Sequence, residues 1–132
     1  AEFDLLGTRD PTPFLTAPFA LDLMDEIGFA SICEYNRSLA LATGRLLAER
    51  WHVEWSTPPE QIATMVTVPL PDRFEPGDAE SVRASLESAG FEVPVLVVDG
   101  RPCVRVSAQI YLELDDIDRL ASAVDSLASP LA

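Results

Sequence analysis

The chain has 132 residues, the size of one ordinary domain, and 48% of them are apolar, so it can bury a core without disulfides or metal and global disorder is excluded. Nine basic residues against 22 acidic ones leave a formal charge of −13, which repels phosphate backbones and anionic lipid and sets nucleic acid and membrane surfaces aside as partners. All nine basic residues are arginines, so this chain offers no lysine for a Schiff base.

In chain order, residues 1–12 read as an irregular entry segment broken by Gly7, Asp10 and Pro11. Pro13 to Ile27 reads as a helix, with Phe14, Ala17, Leu21 and Met24 at helical spacing, and Gly28 ends or bends it. A second helix runs from about Ser31 to Arg50, with Ile32, Tyr35, Leu39, Ala42 and Leu46 as one apolar stripe. Its length suggests a connector to something larger. Trp51 to Pro59 reads as a short strand or loop. Ile62 to Leu70, rich in β-branched residues, predicts a strand that Pro69 and Pro71 close. After a loop over 72–77, Asp78 is a plausible N-cap for a helix carrying Val82, Leu86 and Ala89, with Gly90 as its stop. Phe91 to Val98 predicts a strand. Asp99-Gly100 is a two-residue hairpin signal, so Arg101 to Tyr111 should return antiparallel beside it. Asp115 or Asp116 is expected to cap a last helix with Ile117, Leu120, Val124 and Leu127 on one face.

The order helix, helix, strand, helix, strand, strand, helix predicts an α+β two-layer domain, its antiparallel or mixed sheet covered by helices on one face. Residues 1–30 form an entry segment and connecting helix in this reading, and 31–132 a small α+β domain. No apolar run reaches the roughly 18 residues of a membrane span. No basic region followed by an apolar run opens the chain, so a cytoplasmic protein is expected, with Cys33 and Cys103 as free buried thiols.

Self-contained catalytic sets are scarce. His52, between Trp51 and Trp55, is the sole histidine and reads as packing or surface. There is no glycine-rich phosphate loop, and no His or Cys clustering that would suit a metal. Two places stand out. Arg105 is a lone arginine within an apolar strand, where an unpaired guanidinium is costly to bury. It is either a solvated or ion-paired strand residue, or a planar fork that receives a carboxylate. The run from Gly7 to Thr12 can bind an anion through a backbone amide and the Thr8 hydroxyl, or Thr8, Asp10 or Thr12 can simply cap the following helix.

At these two places the chain resembles a known family. Phe3-Asp4 through Gly7-Thr8-Arg9-Asp10-Pro11-Thr12 looks like the segment that opens the C-terminal portion of class V aminotransferase-type enzymes, which use pyridoxal 5′-phosphate (PLP). It is most like the isopenicillin N epimerase group. Met65 to Pro71 and Phe91 to Val95 resemble that group's strands. Arg105-Val106-Ser107-Ala108-Gln109-Ile110-Tyr111, with Asp116 and Asp118-Arg119-Leu120, resembles its closing motif. The resemblance runs nearly end to end.

It implies the small C-terminal domain of the fold type I PLP enzymes. It also implies that Thr8, with Gly7 allowing close approach, reaches the cofactor phosphate in the other subunit's active site, and that Arg105 binds the substrate α-carboxylate. The Schiff-base lysine, the partner of the pyridine nitrogen and the stacking aromatic belong to the family's large domain, which would precede residue 1. Two features depart from the pattern. Leu112 follows Tyr111 where the motif usually has Asn, and no cysteine lies between Cys33 and Cys103, which argues against desulfuration. The expected function is therefore that of the C-terminal portion of a PLP-dependent epimerase, aminotransferase or lyase acting on an amino acid, not catalytic alone. It would need a lysine-bearing large domain or chain, in a homo- or hetero-oligomer. The alternative is a repurposed binding or interaction domain of the same ancestry.

Overall fold

The computed structural model describes residues 10–127. The chain divides into two compact units, Ala1–Ile32 and Cys33–Ala132. The first unit carries α1 (Thr12–Ile27), in which no residue is buried. Asp10 anchors its start, because one carboxylate oxygen accepts both the Thr12 amide, at 3.0 Å, and the Thr12 hydroxyl, at 2.6 Å. Gly28 ends α1 at a φ of +99°, in the left-handed region that glycine enters without strain. The expected stripe of Phe14, Ala17, Leu21 and Met24 does not become a buried face. Phe14, Leu15, Phe19, Leu21, Leu23 and Ile27 are all exposed and spread round the helix.

The long helix α2 spans Phe29–Trp51, and the boundary between the units falls in its first turn. Within the second unit its buried positions are Asn36, Leu39, Ala40, Thr43, Gly44, Leu47 and Trp51. That face is rotated from the expected stripe, in which Tyr35, Ala42 and Leu46 prove exposed or half-buried. Asn36 and Thr43 are the reason: two polar residues sit on the inward face, where hydropathy marks them as outward. Past Trp51 the chain is a loop, without the short strand considered from sequence.

Strands β1 (Met65–Pro69), β2 (Val95–Val98) and β3 (Arg101–Ser107) form one antiparallel sheet in the order β1-β3-β2. All three are shorter than the sequence suggests. Pro94 has no amide to extend β2 backwards. Beyond Ser107 the chain turns, with the Leu112 amide on the Gln109 carbonyl. The hairpin forms at Asp99 and Gly100, both at positive φ, as a two-residue turn of the primed type requires.

Side chains alternate across the sheet. Val66, Val68, Val104 and Val106 point into the core. There they meet Val82 and Leu86 of α3 (Ala79–Ser88), Ile117, Leu120, Ala121 and Val124 of α4 (Leu114–Ser126), and Leu39, Ala40 and Leu47 of α2. The second unit is thus the expected α+β arrangement, with its helices against one sheet face. Gly90, at φ +88°, closes α3 while the Phe91 amide reaches back to the Leu86 carbonyl. The N-cap of α4 is Glu113, not Asp115 or Asp116. Asp116 lies in the first turn and accepts the Glu113 amide at 2.9 Å. Across the seam between α2 and α4, Arg50 binds Asp125 at 2.8 Å, Asp118 at 2.6 Å and the Ser122 hydroxyl at 2.9 Å.

Candidate functional site

Arg105 stands in the middle of β3, between buried Val104 and Val106, so strand alternation turns it away from the core. It pairs with Thr67 of β1, and its amide donates to the Pro94 carbonyl at 3.0 Å, which fixes its backbone from both sides. Its side chain is half-buried, and Nε is buried with no hydrogen-bond partner among the described residues. Of the readings weighed from sequence, a local ion pair finds no carboxylate among the described residues, which leaves a half-buried strand residue facing solvent or a fork for a carboxylate. A buried N–H of a permanent cation without a partner is costly, and an incoming carboxylate would satisfy it in the geometry a guanidinium presents.

Arg105 lines a cavity of about 510 Å³ at the end of β3. The connection from α3 to β2 walls it with Phe91, Val93 and Pro94, and α4 contributes Leu120. Tyr111 and Arg119 also line it. Arg119 is tied to Asp116, and Asp116 is held below the usual carboxylate range, first by the Glu113 amide and then by Arg119. The Arg119 guanidinium is thereby partly neutralised, whereas that of Arg105 is not. The cavity is a mostly apolar pocket of ligand size with one unpaired buried cationic donor, the kind of site that fixes a small organic acid.

The remaining sequence candidates separate. Gly7 and Thr8, and with them the proposed phosphate contact, lie outside the described residues. Asp10 is bonded locally to Thr12, which lowers its pKa, while the N-cap position of α1 is taken by Pro11, not by one of the expected cap residues. Cys103 is buried, and burial pushes its thiol pKa up, away from the thiolate that a nucleophile needs. His52 is exposed at the end of α2 in a left-handed turn with φ +54°. Around it, the Val53 amide reaches the Ala48 carbonyl and the His52 amide the Glu49 carbonyl, so His52 terminates a helix. Among the described residues no helix is long and apolar enough to cross a membrane.

Sequence reasoning missed two residues near the site. Asn36 of α2 is buried, and its amide nitrogen donates to the Gln109 Oε1 at 3.1 Å. Tyr35 donates its hydroxyl to the Leu112 carbonyl at 2.7 Å. A buried polar residue inside a helix is the signal that could have found Asn36, but hydropathy periodicity hides it.

No family model matches the chain. Curated relatives do. The chain is 38% identical over 125 residues to isopenicillin N epimerase of Streptomyces clavuligerus, covering 92% of this chain and 30% of that protein. It is 33% identical to isopenicillin N epimerase of Amycolatopsis lactamdurans over 92% of its length, and 30% identical to L-cysteine desulfhydrase of Arabidopsis thaliana, again over 92%. In every case the chain spans about a third of the relative's length or slightly less.

Proposed function

The chain is related to a C-terminal domain of the isopenicillin N epimerase and L-cysteine desulfhydrase group, and on that premise we propose that it is the substrate-carboxylate-binding portion of a PLP-dependent enzyme acting on an amino acid. One observation supports this above the rest: the unpartnered, buried Nε of Arg105 in a cavity that Glu92, Asp116 and Arg119 also line. Arg105 receives the α-carboxylate and orients the amino acid, while Gly7 and Thr8 contact the cofactor phosphate. PLP, when bound, supplies an electron sink for chemistry at the α-carbon. The 132 residues contain no lysine, so the group that bonds the cofactor covalently lies outside them. The apolar residues of α1 fit the same picture, since a helix apolar on most sides needs cover.

The test is reconstitution. Mixed with PLP and the lysine-bearing remainder of an isopenicillin N epimerase, the chain should form a stable complex with the visible absorbance of bound cofactor. Arg105→Gln in that complex should raise KM for the amino acid by about tenfold or more. A chain that forms no complex and restores no absorbance would favour the second reading, a repurposed domain that binds small acids through Arg105 without PLP.

A further inference from the structure

The cavity at Arg105 has one wall that the sheet does not hold. After Ser107 the chain leaves β3, and only Ala108 still bonds back towards β1, through the Thr64 carbonyl at 2.7 Å. The stretch 109–113 then carries Tyr111 and Leu112, both lining the cavity, before α4 begins at Leu114. Among the described hydrogen bonds, two side chains from neighbouring helical positions grip this stretch from α2. Tyr35 donates to the Leu112 carbonyl at 2.7 Å. Asn36 donates to the Gln109 Oε1 at 3.1 Å, and that same oxygen accepts the Ile110 amide at 2.9 Å. The second contact is an odd choice for stability alone. Asn36 is 5% exposed, yet its Oδ1 has no partner, so the helix carries a half-satisfied buried amide where an apolar residue of the same shape would avoid the desolvation cost.

We infer that Tyr35 and Asn36 are positioning residues that hold the 109–112 turn as the outer wall of the Arg105 cavity, trading stability for a fixed pocket. The inference rests on the carboxylate reading of Arg105. Neither residue touches the ligand; both act through the turn that carries Tyr111 and Leu112. Residues kept for function at the expense of stability reveal themselves when replacement moves the two in opposite directions.

The experiment uses this chain, with acetate and L-alanine as probes, read by NMR on the Nε–H signal of Arg105, together with thermal unfolding. In the parent chain both probes should shift the Arg105 signal. Asn36→Leu should leave Tm unchanged or raised while weakening both probes about fivefold or more. Tyr35→Phe, which removes one hydroxyl, should weaken them in the same sense with the fold intact. A lowered Tm with unchanged probe affinity in Asn36→Leu, or unchanged affinity in Tyr35→Phe, would overturn the inference and leave the carboxylate reading standing. An Arg105 signal that ignores both probes in the parent chain would remove that reading, and this inference with it.

Discussion

Arg50 and Arg105 lie in the same unit and have opposite fates. At the α2–α4 seam, Arg50 meets two carboxylates and a hydroxyl, and its side chain is 30% exposed. Within β3, Arg105 has no carboxylate partner among the described residues, a buried Nε without an acceptor there and a cavity in front of it. The first guanidinium closes a packing seam; the second is left open at a cost. Among the described residues Arg50, Arg83, Arg101 and Arg119 pair with carboxylates, whereas Arg105 combines the lack of such a pair with a buried, unpartnered Nε.

Both regions hang on one core, so the largest effect should erase the contrast. Leu86 is fully buried between α3 and the sheet, and Leu86→Ala should cost about 2–5 kcal/mol in denaturant unfolding, with the seam and the cavity lost together. Loss of one without the other would mean that the two regions fold independently. Arg50→Ala should produce a smaller fall in Tm, because its bonds lie near solvent, and should leave carboxylate binding unchanged.

A third test uses pH. The Asp116 carboxylate has its pKa lowered in the folded chain, so its contribution to stability is present above the ordinary aspartate value and is lost as pH falls through the folded one. Asp116→Asn should therefore lower stability at neutral pH, change little at low pH, where the parent carboxylate is already protonated, and so flatten the curve between the two. An unaltered acid limb would show that the Glu113 amide and Arg119 do not matter to folding. The smallest effect is expected at His52, far from the contrast. His52→Gly relieves a left-handed side chain at a helix end and should raise stability by about 0.5–1 kcal/mol, without touching probe binding at Arg105.

Much of the fold is legible in the sequence because local chemistry decides it. Asp99-Gly100 dictates the hairpin, Gly90 the end of α3, and the alternation of Val104, Arg105 and Val106 dictates which side chain leaves the core. The face of α2 is not legible, since Asn36 and Thr43 turn inward against their hydropathy. Strand ends are misjudged for a similar reason: Phe91 and Val93 are apolar enough for a strand, but they end as walls of a cavity. Arg105 is visible from sequence as an anomaly. The fold adds what the sequence cannot show, that its Nε is buried with no acceptor among the described residues.

The most direct test compares the two arginines in one titration. Acetate and L-alanine are added to the parent chain, to Arg105→Gln and to Arg50→Gln, with chloride at matched ionic strength as control. Probe binding that survives in Arg50→Gln and falls by about tenfold or more in Arg105→Gln, beyond any effect of chloride, is the predicted result. Equal losses in the two variants, or binding that persists without Arg105, would contradict the assignment of this cavity to a substrate carboxylate.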